Sequence, residues 1–179
     1  AGELASQIFA ETARELLSRT PPATEEERLQ LIQQAFEQAN GRILDHVATQ
    51  PEHRGMGCTA ELLILWNSRF VLGHVGDSRT YLYRKGQLKQ LTRDHSLVQD
   101  QVDQGIITPE EARTHRLRHV ILRAVGTTET LAVDFLRGNA FANDLFLLCS
   151  DGLTDMVDDI LIESILALPD ALPQKVEKL

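Results

Sequence analysis

Two long helical stripes run directly into a series of short apolar strands, and this change of period limits the fold more than any other feature. Leu4, Ile8, Phe9, Ala13, Leu16 and Leu17 recur at helical spacing over residues 2–18. Pro21-Pro22 stops that stripe, because proline cannot continue a helix interior. Thr24 followed by Glu27 is a capping-box signature, and Leu29, Ile32, Phe36, Ala39, Ile43 and Val47 mark a second, longer helix. Gly41 weakens its middle without ending it. The pattern changes at Gly55-Met56-Gly57. Strands are expected at 60–66, 69–75 and 79–83, with a turn at Lys85-Gly86 and a short strand to Leu91, together an antiparallel meander. Amphipathic helices must bury their stripes on something, and a sheet with an apolar face supplies it. An α+β sandwich follows from pattern alone.

Further along, Ser96 is placed to cap a short helix through Val102, and Gly105 breaks it. Thr108-Pro109-Glu110-Glu111 reads as another helix start, with proline at the first helical position. Strands are expected near 120–123, 131–136 and 144–149, then helices at 152–167 and 170–178 interrupted by Pro169. No repeat, low-complexity tract or interdomain linker appears, so residues 1–179 read as one domain.

Charge narrows the function classes. A net charge of −8 argues against a nucleic-acid binder, which needs a basic face to neutralise phosphates. No apolar run is long enough to span a bilayer and no signal peptide is evident, so no membrane partner is expected. Cys58 and Cys149 lie in or beside apolar runs without a CxxC partner and read as buried thiols of a reducing compartment. The expected location is the cytoplasm.

Two segments carry chemistry. In Leu147-Leu148-Cys149-Ser150-Asp151-Gly152-Leu153-Thr154-Asp155 an apolar run stops at a carboxylate and a glycine. If the run is a strand and Gly152 opens a helix, Asp151 sits at the strand's end and Asp155 one helical turn later on the same face. Two hard oxygen ligands so placed suit Mg²⁺ or Mn²⁺ better than zinc. The competing reading is acids favoured by a helix N-terminus. In Val71-Leu72-Gly73-His74-Val75-Gly76-Asp77-Ser78-Arg79 a second apolar run ends in Gly-Asp-Ser, which reads equally as a hairpin turn.

The two motifs in this order, with Leu91-Thr92-Arg93-Asp94-His95-Ser96 and Arg118-His119-Val120-Ile121-Leu122-Arg123-Ala124-Val125-Gly126 between them, resemble the metal-dependent serine/threonine phosphatases of the PP2C (PPM) family, the bacterial members above all. The resemblance runs from residue 1 to about residue 167. It implies a four-layer α-β-β-α sandwich with two central antiparallel sheets. It also implies hydrolysis of phosphoserine and phosphothreonine in proteins by a water activated on two Mn²⁺ or Mg²⁺ ions. Asp151 matches the aspartate that holds one of these ions, and Asp77 and Asp155 match those that join it around a third. The family's other inner-site aspartates, its phosphate-binding arginine and a histidine lie on segments that these 179 residues do not include. Ala1-Gly2-Glu3-Leu4-Ala5-Ser6 resembles the start of the helix that follows one of those segments. The fold is therefore expected to be incomplete, the chain a portion of a longer polypeptide or a truncated relative, and the 179 residues alone inactive. Phosphorylated proteins are the implied partners, with a serine/threonine kinase as opponent.

Residues 94–126 correspond to the family's flap beside the active site. Arg113, His115, Arg116, Arg118, His119 and Arg123 fall within eleven residues of it. Arginine forks match phosphate oxygens, so the segment can attract and orient a phosphorylated substrate. The alternative is a solvated helix end pairing with Glu110 and Glu111. Asp94, Arg118, His119 and Arg123 are the flap candidates, with Arg118-His119 preferred by resemblance. His74 reads as a satisfied core histidine, His46 and His53 as structural, Trp66 as strand packing, and Cys58 as no nucleophile for want of a nearby base. The rival from another class is a non-catalytic phosphatase-like module that binds a partner or phosphoprotein without hydrolysis.

Overall fold

The computed structural model describes residues 2–19 and 22–179. Ala1 of the family-like start and Pro21 of the helix stop lie outside them. Helices α1 (Gly2–Leu17) and α2 (Glu25–Thr49) form an antiparallel pair. The capping box read at Thr24 is formed: its side chain accepts from the Glu27 amide, and Glu27 reaches back to the Thr24 amide. Gly41 does not interrupt α2. Phe9 and Phe36 meet edge to face with centroids 4.9 Å apart. Ala5, Ala13, Leu16, Ile32, Ala39 and Ile43 complete the stripe, all buried.

The strands β1 (Ala60–Trp66), β2 (Arg69–Val75), β3 (Arg79–Arg84), β4 (Gln87–Gln90), β5 (Asp134–Asn139) and β6 (Leu145–Cys149) form two antiparallel sheets, ordered β1-β2-β5 and β4-β3-β6. Strand β2 is buried on both faces from Phe70 to Val75. Its odd residues face the helices. A side chain at Gly73 would come within 2.3 Å of Ile32 Cγ2, so glycine is what lets α2 lie on the strand. Its even residues face the second sheet, where Phe70 packs on Phe146 at 5.2 Å. Double coverage explains the nearly unbroken apolar run. On the far side of the second sheet, α6 (Asp159–Ala167) packs along β4. Glu163 there accepts from the Leu88 amide at 2.6 Å. The order is helices, sheet, sheet, helix: the α+β sandwich with two central antiparallel sheets.

Three local expectations are corrected. The strands do not form one meander. The hairpins β1-β2 and β3-β4 belong to different sheets, and the chain crosses between them at residues 76–78. Gly76, at φ +117°, turns the chain there, while β5 and β6 from late in the sequence pair with β2 and β3. Residues 120–123 are not a strand. Val120, Ile121 and Leu122 are exposed, and among the described residues the segment's backbone joins its neighbours through isolated bridges, Ser96 to Ile121 and Cys58 to Val125. The helix expected over 152–167 is two. A short α5 (Asp151–Thr154) ends at Asp155, and Asp158 starts α6 afresh by accepting from the Leu161 amide at 2.8 Å. Between β4 and β5 lie α3 (Leu97–Asp103) and α4 (Pro109–Thr114), capped by Ser96 and Thr108 as their sequences foretell. The chain ends in α7 (Leu172–Lys178), whose Lys175 donates to the last carbonyls of α6.

Candidate metal centre

Register brings the two motifs together. Strands β3 and β6 pair with Arg79 opposite Cys149. Asp77 lies two residues before Arg79 and Asp151 two residues after Cys149. Both therefore leave the same end of the same sheet. Asp151 opens α5, and the Asp155 amide donates to the Asp151 carbonyl at 2.8 Å, one turn on. Gly76-Asp77-Ser78 is the sheet-to-sheet crossing rather than a hairpin turn.

These three carboxylates line a cleft of about 510 Å³, together with Asp94, Arg118 and His119. Asp77 is only 9% exposed. Among the described residues no side chain hydrogen-bonds to it and no cation pairs with it. Burial, and then the charge of Asp151, raise its pKa above the usual carboxylate range. A nearly buried carboxylate held unpaired beside a second one is costly unless a cation joins them. Asp151 and Asp155 are exposed to the cleft, and with a ring nitrogen of His119 their ligand atoms lie within 4.8 Å of one another; Asp77 lines the same cleft but is not within that group. Hard oxygens predominate, so the donor set fits Mg²⁺ or Mn²⁺.

The flap candidates divide. Arg118 Nε and His119 Nδ1 stand 3.8 and 3.7 Å from Asp155 Oδ2, both side chains substantially exposed. Arg123 is not in the cleft: its guanidinium donates to Asp134 Oδ1 at 2.8 Å. Asp94 lines the cleft but is already engaged. Arg79 grips it through Nε, at 3.0 Å to both oxygens, and through Nη2, at 2.7 Å to Oδ2. Burial works against the charge on Arg79, but Asp94 outweighs it and raises the pKa. Gln90 adds a bond to Asp94 at 2.9 Å. Tyr81 accepts from Arg79 at 3.1 Å and donates to Asp159 at 3.0 Å. Burial pushes the Tyr81 phenol up to about 12.

Sequence reasoning missed this wall of Arg79, Gln90, Tyr81 and Asp159. Arg79 directly after Gly-Asp-Ser was the one available hint; nothing in the sequence marks Asp159. The residues set aside are accounted for. His74 is fully buried, bonded to Glu61 and to the Arg93 carbonyl. His46 and His53 stack and share a 2.8 Å bond. Trp66 carries the Arg28 guanidinium 4.4 Å above its ring. Burial pushes the Cys58 and Cys149 thiols up to about 11, which removes them as nucleophiles at neutral pH.

Comparison with known proteins agrees with this geometry. The Protein phosphatase 2C family pattern matches residues 1–101. The chain is 39% identical over 170 residues to the serine/threonine protein phosphatase PstP of Mycobacterium tuberculosis, covering 95% of this chain and 32% of that protein. It is 35% identical over 181 residues to the serine/threonine phosphatase stp of Listeria welshimeri, covering 98% of this chain and 72% of that one. The chain thus spans about a third of the length of the mycobacterial relative. A crystal structure of the PstP catalytic domain in complex with two manganese ions superposes with a TM-score of 0.85 at 35% identity, covering 98% of this chain and 73% of that one. With the family pattern, relatives along almost all its length and the same fold, the chain belongs to the protein phosphatase 2C family.

Proposed function

We propose that this chain forms part of a phosphatase that hydrolyses phosphoserine and phosphothreonine in proteins with the help of Mn²⁺ or Mg²⁺. The observation that carries this reading is Asp77, nine-tenths buried, without a cation partner among the described residues, and repelled by the charge of Asp151 in the same cleft. Asp77, Asp151 and Asp155 would hold the ion. By the family resemblance the water would be activated by a pair of ions, one of them on Asp151, and an ion held by Asp151 would supply charge that acidifies a water and offsets the negative charge of the phosphoryl group. The chain's own residues do the rest. Arg79 neutralises Asp94, so that the wall beside the ligands does not add another free negative charge. Residues 94–126 act as the flap. Arg118 and His119 present donors at the rim, where a phosphate oxygen can exchange for their long contacts to Asp155.

Phosphorylated proteins are the substrates, and a serine/threonine kinase is the opponent. No helix among the described residues is long and apolar enough to cross a membrane. We place the protein in the cytoplasm, in line with its unpaired cysteines Cys58 and Cys149. Of the aspartates assigned to the inner ion pair by family resemblance, Asp151 is the one these 179 residues carry, and the 179 residues alone are expected to release little phosphate.

The test uses the polypeptide that carries these residues as its host makes it. Phosphate release from a phosphothreonine peptide should depend on Mn²⁺ and fall by at least about a hundredfold in Asp151→Asn, as loss of a transition-state charge stabiliser predicts. Full activity in the variant would overturn the assignment. His119→Ala should weaken turnover or phosphopeptide affinity; if both are unchanged, His119 has no part in substrate binding.

A further inference from the structure

Behind the cleft, where the two sheets face each other, lies a polar cluster that the reaction above does not use. At its centre is His95, 1% exposed. Its backbone N–H donates to the Gly76 carbonyl at 2.7 Å, and the Gly76 N–H donates to its ring Nδ1 at 3.1 Å. Both peptide groups of the residue before Asp77 are thus taken by one histidine. The His95 carbonyl in turn accepts the Leu122 amide at 2.8 Å, at the foot of the segment that carries Arg118 and His119.

The ring has a defined hydrogen-bonding state. Nδ1 accepts, so in the neutral ring the proton sits on Nε2. Nε2 faces Asp134 Oδ2 at 3.1 Å with Arg123 Nη1 also 3.2 Å away, and that Nη1 donates to the other oxygen of Asp134 at 2.8 Å. Burial lowers the pKa of His95, which keeps the ring neutral. The remaining neighbour is the His74 ring, 4.5 Å away, whose nitrogens are occupied by Glu61 and the Arg93 carbonyl. Arg123 therefore stands behind the site, against His95 both directly and through Asp134.

We propose that His95 is a positioning residue that holds the Gly76 peptide, and with it Asp77, in place and ties it to the foot of the flap. Gly76 stands at φ +117°, a conformation with little intrinsic preference to persist, so an external grip on both its peptide groups has a clear task. The alternative is that His95 only fills space between the sheets. Two substitutions of similar size separate these. His95→Asn keeps an oxygen near the Nδ1 position, able to accept from Gly76, but does not reach Asp134. His95→Gln reaches toward Asp134 and leaves the Gly76 amide without its acceptor.

The experiment is amide hydrogen exchange over residues 75–79 and 118–123, with Mn²⁺ titration of the same proteins. In His95→Gln, exchange at Gly76 should accelerate about tenfold or more, the effect of orphaning a buried amide. Mn²⁺ affinity should fall by a similar factor. In His95→Asn both should stay within about threefold of the parent, since the acceptor remains. Equal behaviour of the two variants in exchange would overturn the proposal. The metal arm rests on the function proposed above, whereas the exchange arm does not. If the parent protein binds no Mn²⁺, the metal reading fails and the exchange pattern alone decides the role of His95.

Discussion

Replacing Gly76 by alanine tests whether the crossing between the sheets is built as described. Two costs add. At φ +117° an L-residue is strained by about 1–3 kcal/mol. The new Cβ would also lie 2.4 Å from Thr59 Cγ2 and 2.6 Å from Thr59 Cβ. Rotating Thr59 clears only the first contact, and it breaks the 2.8 Å bond between Thr59 Oγ1 and Ser78 Oγ. Overpacking of this kind costs about 1–3 kcal/mol. The sum is about 2–6 kcal/mol, or roughly 4–24 °C in Tm for a domain of this size. Urea unfolding of Gly76→Ala, Thr59→Gly and the double variant measures it. The double variant should recover the steric share, about 1–3 kcal/mol, and leave the backbone strain. A loss below about 1 kcal/mol in Gly76→Ala would refute the reasoning, because neither the strain nor the contact could then be real.

Other consequences are independent of the crossing. Asp77→Asn removes a buried, repelled carboxylate and should raise metal-free stability by about 1 kcal/mol while costing one bound Mn²⁺, as expected where a site stores strain for function; calorimetry in EDTA and in Mn²⁺ checks both. Burial disfavours charge on His74, but its bond to Glu61 outweighs this and the folded pKa is raised. Its contribution is present in full below the unfolded value of about 6.5 and is lost as pH rises through the folded pKa. Urea midpoints should therefore fall over that window in the parent, and His74→Gln should flatten the fall. Arg79→Lys cannot keep the forked grip on Asp94 and should cost about 1–3 kcal/mol, read by thermal melting.

The sequence made some of this legible because local chemistry decides it. The capping boxes at Thr24 and Thr108 and the stripes of α1 and α2 need no distant partner, and each forms as read. Asp151 was legible for the same reason: an apolar run that halts at a carboxylate is a local event. The division into two sheets was not. Whether β2 continues into β3 or turns away depends on β5 and β6, sixty or more residues later, and on one glycine torsion. The run Val120-Ile121-Leu122 has strand composition but no ladder to join, so composition misled there. Arg123 and Asp94 show the limit at the site. Their residue types suit a substrate, yet each is occupied by a partner, Asp134 and Arg79, that spacing does not disclose.

The central claim is that Asp77, Asp151 and Asp155 form a divalent-cation site at one end of the second sheet. The most direct measurement is Mn²⁺ binding, followed by calorimetry or by the loss of the free-ion paramagnetic signal, in the parent and in Asp77→Asn and Asp151→Asn. Saturable binding in the parent, with at least one ion fewer bound in each variant, is the expected result. Undiminished stoichiometry and affinity in both variants, or a parent that binds no Mn²⁺ or Mg²⁺ at millimolar concentration, would contradict it.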